Sequence, residues 1–111
     1  MIPLPRSAMP TDVLVRVPDT DAEYGGRYRP ARTIRNVRIE RHLKVRRTQY
    51  QFADTTTGLM FVDRVTSAGA FDIPPGSMVS ADEGATWSSV NACHRFEGFG
   101  GRVHHWEVEL A

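Results

Sequence analysis

Cysteine is nearly absent: Cys93 stands alone among 111 residues. No intrachain disulfide can form, which excludes a disulfide-stapled secreted scaffold. A lone cysteine of this kind reads as a small buried hydrophobe. Long hydrophobic runs are missing too. No stretch approaches the roughly 18 apolar residues that a membrane-spanning helix needs. The chain opens Met1-Ile2-Pro3-Leu4-Pro5, where two prolines break a very short apolar stretch, unlike a signal peptide. The expectation is a soluble protein made in the cytoplasm of its producing cell, with no membrane partner. No window carries the i, i+3, i+4, i+7 apolar stripe of an amphipathic helix.

Catalytic signatures are equally scarce. There is no glycine-rich phosphate loop of the Walker type, and Gly98-Phe99-Gly100-Gly101 opens no helix. There is no Gly-x-Ser-x-Gly elbow. Asp63 sits in a strand-like apolar context. Asp82 and Glu83 occupy a hairpin tip, where solvent leaves a carboxylate little reason for a shifted pKa. Cys93-His94 and His104-His105 are zinc-ligand types. Neighbours on a strand point to opposite faces, however, so each pair offers one ligand per side, and two ligands do not complete a tetrahedral site. No catalytic residue, metal or cofactor is expected, and the chain does not read as an enzyme.

Charge is abundant but unevenly spread. From Arg27 to Arg47 there are eight arginines and Lys44 against Glu40 alone, a net of +8. The rest of the chain therefore carries −7, giving the overall +1. A cationic strip beside an acidic remainder suits packing between copies, or contact with an anionic partner. Arginines interleaved with Tyr28, Tyr50 and Phe52 also fit a single-strand nucleic-acid platform, in which bases stack on rings and cations follow phosphates.

Period-2 alternation dominates the apolar pattern. Val13, Val15 and Val17 share a face of a first strand that Pro18-Asp19 ends, and residues 18–30 read as a polar loop. From Val37 to Arg47 the odd positions run Val37, Ile39, Arg41, Leu43 and Val45, while the even positions are all polar. That is a strand with one solvated side. Tyr50 and Phe52 then reverse the phase, which requires a turn or bulge near residues 47–49. A polar loop over residues 53–58 leads to Leu59-Met60-Phe61-Val62, a continuous apolar run typical of a strand buried on both faces. Residues 67–76 read as irregular and end in Pro74-Pro75-Gly76. Asp82-Glu83-Gly84 marks a hairpin with glycine where positive φ is needed. A strand over 90–96 and a last strand follow, the latter with His104, Trp106, Val108 and Leu110 on one face. The core candidates are Trp87, Trp106, Phe61, Val37, Ile39 and Val108.

The pattern predicts an all-β chain: a small, mostly antiparallel barrel or sandwich of about six to eight short strands, with a long loop. Residues 1–11 read as an extended N-terminal arm and residues 12–111 as one domain, which suits a chain that hides about 65% of its unfolded surface.

Read end to end, the sequence resembles the phage minor capsid proteins encoded among the head–tail connector genes. The likeness is carried by the opening Met1-Ile2-Pro3-Leu4-Pro5, by Asn36-Val37-Arg38-Ile39-Glu40, and by the segment from Leu59 to Ser67 with its Asp63 and nearby serine. It continues through Pro75-Gly76-Ser77-Met78-Val79, the Asp82-Glu83-Gly84 turn with Trp87, and the closing Val103-His104-His105-Trp106-Glu107-Val108-Glu109-Leu110. These segments occur in the family's order across nearly the whole chain.

The resemblance implies a small β-barrel that forms a homo-oligomeric ring beneath the portal, similar to stopper or head-completion proteins. Portal or adaptor proteins would lie on its head side and tail-completion or tail-tube proteins on the other. An adaptor or tail-completion role is the neighbouring alternative, and a single-stranded nucleic-acid-binding module of the OB type the alternative of another class. The implied location is the head–tail interface of the virion, with assembly in the host cytoplasm. Arg38, His42, Lys44, Arg46 and Arg47 are the candidate channel- or partner-facing residues, in non-specific contact with packaged DNA. Ile2, Pro3, Leu4 and Pro5 are the candidate inter-subunit arm.

Overall fold

A computed structural model describes residues 6–19, 28–41 and 57–111. Six strands account for most of them: β1 Thr11–Arg16, β2 Arg32–Arg41, β3 Gly58–Asp63, β4 Met78–Ser80, β5 Ser88–Glu97 and β6 Val103–Leu110. Two single 3-10 turns, Arg6–Ala8 and Phe99–Gly101, complete the elements, and there is no α-helix among the described residues. The strands close into one barrel in the order β1-β2-β3-β6-β5-β4, and every neighbouring pair is antiparallel. The expected small all-β barrel is therefore the observed fold. Closure removes the exposed sheet edges that a six-stranded open sheet would leave.

Alternation explains what fills it. Val13 and Val15 of β1, Met60 and Val62 of β3, and Trp106, Val108 and Leu110 of β6 point inward and are essentially solvent-free. Each such aliphatic side chain stabilises the fold by about 1.5–3 kcal/mol relative to exposure. The β3 run is buried on both faces as its composition predicts, apart from the half-buried Phe61. Of the other core candidates Val37 is fully buried and Ile39 packs at the margin. Trp87 is not a core residue: it lies in the β4–β5 connection, half-buried, with the Arg16 guanidinium 4.2 Å above its ring.

β2 begins at Arg32, five residues before the strand read from Val37, and Ile34 is as buried as Val37. Two inward residues three apart break strict alternation. The cause is a bulge: Thr11 pairs with Val37 and Val13 with Ile34, so Asp12 alone faces Arg35 and Asn36. Asn36 takes φ of 56°, a left-handed conformation that asparagine tolerates better than most residues. The Asp12 carboxylate accepts the Asn36 N–H at 3.0 Å, and the Asn36 side-chain amide donates to the Met9 carbonyl at 3.2 Å. The phase reversal expected near residues 47–49 lies outside the described residues. So do Tyr50 and Phe52.

The long connection from β3 to β4 packs onto the core. Ile73 enters the core with 1% exposure, and Phe71 packs beside it beneath the Arg32 guanidinium at 3.9 Å. Of the segment read as an arm, Arg6–Ala8 forms a 3-10 turn, Met9 is fully buried and Thr11 already belongs to β1. Burial of Met9 anchors the chain before the first ladder bond. Ile2, Pro3, Leu4 and Pro5 lie outside the described residues.

Candidate functional site

Arg38 stands on the outer side of β2 and is exposed, as the polar face of that strand predicts. Its Nη2 lies 3.0 Å from Glu40 Oε1, two residues along the same face. His42, Lys44, Arg46 and Arg47 fall outside the described residues. The other described arginines of the basic segment are each engaged locally. Arg29 lies 3.9 Å from Asp19 and Arg35 lies 3.8 Å from Asp12. Arg32 stacks on Phe71, and both terminal nitrogens of Arg41 donate to Ser88 Oγ at 3.3 Å. Part of the acidic remainder thus folds back on the strip. Exposed pairs of this kind contribute little, about 0–1 kcal/mol each, and leave the guanidinium groups accessible. Tyr28 is 42% exposed and its hydroxyl reaches the Gly76 carbonyl at 3.4 Å.

Asp63 has a structural part that composition alone does not reveal. Its side chain is wholly buried, and Oδ1 accepts the N–H groups of Val65 at 2.9 Å and Thr66 at 3.0 Å. Ser67 Oγ accepts the Asp63 N–H at 2.9 Å and donates to the Asn36 carbonyl at 2.6 Å. The Asp-then-Ser spacing therefore locks the end of β3 onto the β2 bulge, since each buried polar group there finds a partner.

Two expectations about titratable side chains are corrected. Asp82, read as an unperturbed tip carboxylate, is held at a pKa of about 2. Thr86 is the main cause, through its hydroxyl at 2.5 Å and its N–H at 2.9 Å, followed by the Ser80 hydroxyl at 2.8 Å. Hydrogen bonds to the charged form lower a carboxyl pKa even in solvent. The second concerns His104 and His105, expected on opposite faces. Their Nδ1 atoms are 2.8 Å apart. Phe96 pairs with His105 but Glu97 pairs with Val103, so His104 is the extra residue of a bulge, which re-aims its side chain.

The same β5–β6 surface carries further pairs. His94 Nε2 lies 2.5 Å from the buried Glu109 carboxylate, His105 Nε2 lies 3.0 Å from Glu107, and Phe96 stacks on His105 at 4.7 Å. Cys93 is half-buried against the core, and burial pushes its thiol pKa up. No three His, Cys, Asp or Glu side chains among the described residues are arranged to hold a metal ion. No helix among them is long and apolar enough to cross a membrane.

Elsewhere on the surface, β1, β2 and the β4–β5 connection line an open depression of about 260 Å³. Its lining is mainly apolar, from Val13, Leu14 and Ala81, and includes Thr33, Ser80 and the acidic residues Asp12 and Glu83. No family model, curated protein or solved structure matches this chain.

Proposed function

We propose that the chain is a structural protein of a tailed phage, a ring-forming head–tail connector of the stopper or head-completion type. The observation that carries the reading is the closed six-stranded barrel, the architecture the resemblance implies. The segments behind the resemblance recur in it as consecutive structural parts. Asn36 to Glu40 form the bulge and the following stretch of β2, and Leu59 to Ser67 form β3 with its Asp63–Ser67 lock. Residues 75–79 lead into β4, residues 82–87 lie in the hairpin connection, and residues 103–110 are β6.

In this reading copies form a ring between portal or adaptor proteins and the tail. Arg38, His42, Lys44, Arg46 and Arg47 face the channel or a partner ring, and Ile2 to Pro5 dock on a neighbouring subunit. Cationic side chains hold packaged DNA through its phosphates without reading sequence. Too tight a grip would oppose ejection, so exposed and salt-screened arginines suit the task. A single-strand nucleic-acid module instead stacks bases on open rings beside its cations, and Tyr28, 42% exposed, is the described ring such a module would use.

The test is location. Necks isolated from purified particles should contain the protein in a ring, and particles assembled without it should fail to complete the head–tail joint. Charge reversal at Arg41, Lys44 and Arg46 should impair completion while the isolated domain stays folded. A strict monomer absent from particles and bound to single-stranded RNA in cells overturns the reading.

A further inference from the structure

Two complementary patches lie on the barrel surface, one lined by β1, β2 and the β4–β5 connection and the other where β3 ends beside β6. The first holds the depression, with its apolar lining and the carboxylates of Asp12 and Glu83. Asp82 precedes Glu83 on the same exposed tip, and its hydrogen-bond partners, Ser80 and Thr86, are neutral. No cation among the described residues pairs with Asp82 or Glu83. Arg35 approaches Asp12 at 3.8 Å with both side chains more than half exposed, and Arg16 is turned onto the Trp87 ring.

The β3–β6 wall ends in the converse arrangement. Val65 is 63% exposed, the most exposed large apolar side chain among the described residues. Arg64 precedes it, and the Arg64 N–H donates to the His104 carbonyl at 3.1 Å, two residues after Arg102. Both arginines are exposed, and neither reaches a carboxylate among the described residues. The nearby acids are otherwise engaged: Asp63 is buried on the turn amides, and Glu97 lies 3.6 Å from Arg95.

We infer that copies of this chain join head to tail, with Arg64, Val65 and Arg102 of one copy docking on the depression between Asp12 and Glu83 of the next. An exposed valine flanked in sequence by Arg64, with Arg102 nearby on β6's approach, meets an apolar depression whose lining carries two carboxylates. Within one copy neither patch satisfies the other, since Arg64 and Arg102 reach no carboxylate among the described residues. A contact between unlike patches repeats from subunit to subunit and closes into a ring when the rotation allows. The inference rests on the connector reading for closure, but the pairwise contact is testable by itself.

The experiment is sedimentation equilibrium of the purified full chain at low and high salt, with Arg64→Glu and Glu83→Lys made singly and together. Circular dichroism and thermal melting of each variant check the fold. The wild type should self-associate more weakly as salt rises. Each single reversal should weaken association about tenfold, as expected when exposed attractive pairs become repulsive. The double variant, and an equimolar mixture of the two singles, should recover most of it, because every junction then pairs opposite charges again.

If the wild type associates but folded single variants associate equally well, this contact is wrong and the connector reading stands on particle location. A wild type that stays monomeric at low salt and high concentration also overturns the contact. Association of the chain together with its absence from isolated necks supports the contact and rejects the connector.

Discussion

The indole N–H of Trp106 donates to Asp72 Oδ1 at 2.5 Å, joining the inward face of β6 to the long β3–β4 connection. Trp106 is 5% exposed, so its N–H has little access to replacement water. Asp72 Oδ2 also accepts from Arg95 at 3.4 Å, across an exposed and weaker pair. Asp72 thus holds in place the connection whose next residue, Ile73, enters the core.

Asp72→Ala should destabilise the barrel by about 1–3 kcal/mol, the cost of leaving a largely buried donor unpaired. Asp72→Asn keeps an acceptor for the indole and should lose less than half as much. Urea denaturation followed by tryptophan fluorescence measures both. Equal midpoints for wild type and Asp72→Ala would show that the contact carries no weight.

Two glycines with positive φ separate strain from collision. A Cβ at Gly69, φ +84°, would meet the Thr33 carbonyl oxygen at 2.6 Å, whereas one at Gly84, φ +92°, would meet Trp87 at an ordinary 3.6 Å. Gly84→Ala should cost about 1–2 kcal/mol, the left-handed penalty for a residue with a Cβ. Gly69→Ala adds a backbone clash of about 1–3 kcal/mol to that penalty. Thermal melts of the two variants should rank Gly69→Ala clearly below Gly84→Ala, and equal melts would refute the distinction.

Strand type and the β3 core were legible because alternation and an unbroken apolar run report which faces are buried. Inferring backward from Val37 could not succeed, since the bulge at Asn36 changes the phase and puts Ile34 inside. The same limit hid the His104–His105 contact, which depends on a second bulge. Asp63, Ser67 and Asn36 are far apart in pattern terms, and the lock among them appears only when β2 and β3 are paired. Of the channel-facing set, Arg38 could be placed, and its exposure follows from the parity of β2. The +8 strip was visible as a count, but the folding back of Asp12 and Asp19 onto Arg35 and Arg29 was not, because it spans strands.

Ser77 offers a case where removing a polar group should help. It is fully buried, and its hydroxyl has no hydrogen-bond partner among the described residues. An unpaired buried hydroxyl costs about 1–3 kcal/mol on the scale of protein mutations. Ser77→Ala should therefore be neutral or stabilising by up to about 1 kcal/mol, once a small void is allowed for. Chemical denaturation decides it, and a loss above that size would mean the hydroxyl is satisfied in solution.

Asp82 sets the acid limb of stability at the hairpin. Its folded pKa is about 2 against 3.8 for the free side chain, so folding favours the ionised form. A group with a lowered folded pKa contributes stability that is complete above its unfolded value and disappears as pH falls through the folded one. The contribution should fade between pH 3.8 and about 2. Thr86 supplies the first two causes of the shift, its hydroxyl and then its N–H, so Thr86→Val removes the larger and leaves the backbone donor. In that variant the Asp82 carboxyl should titrate nearer 3.8, as read from its side-chain carbon shift by NMR. Asp82→Asn should flatten the acid limb of a melting-temperature profile in the same window. An unchanged titration in Thr86→Val would assign the shift to Ser80 and the loop backbone instead.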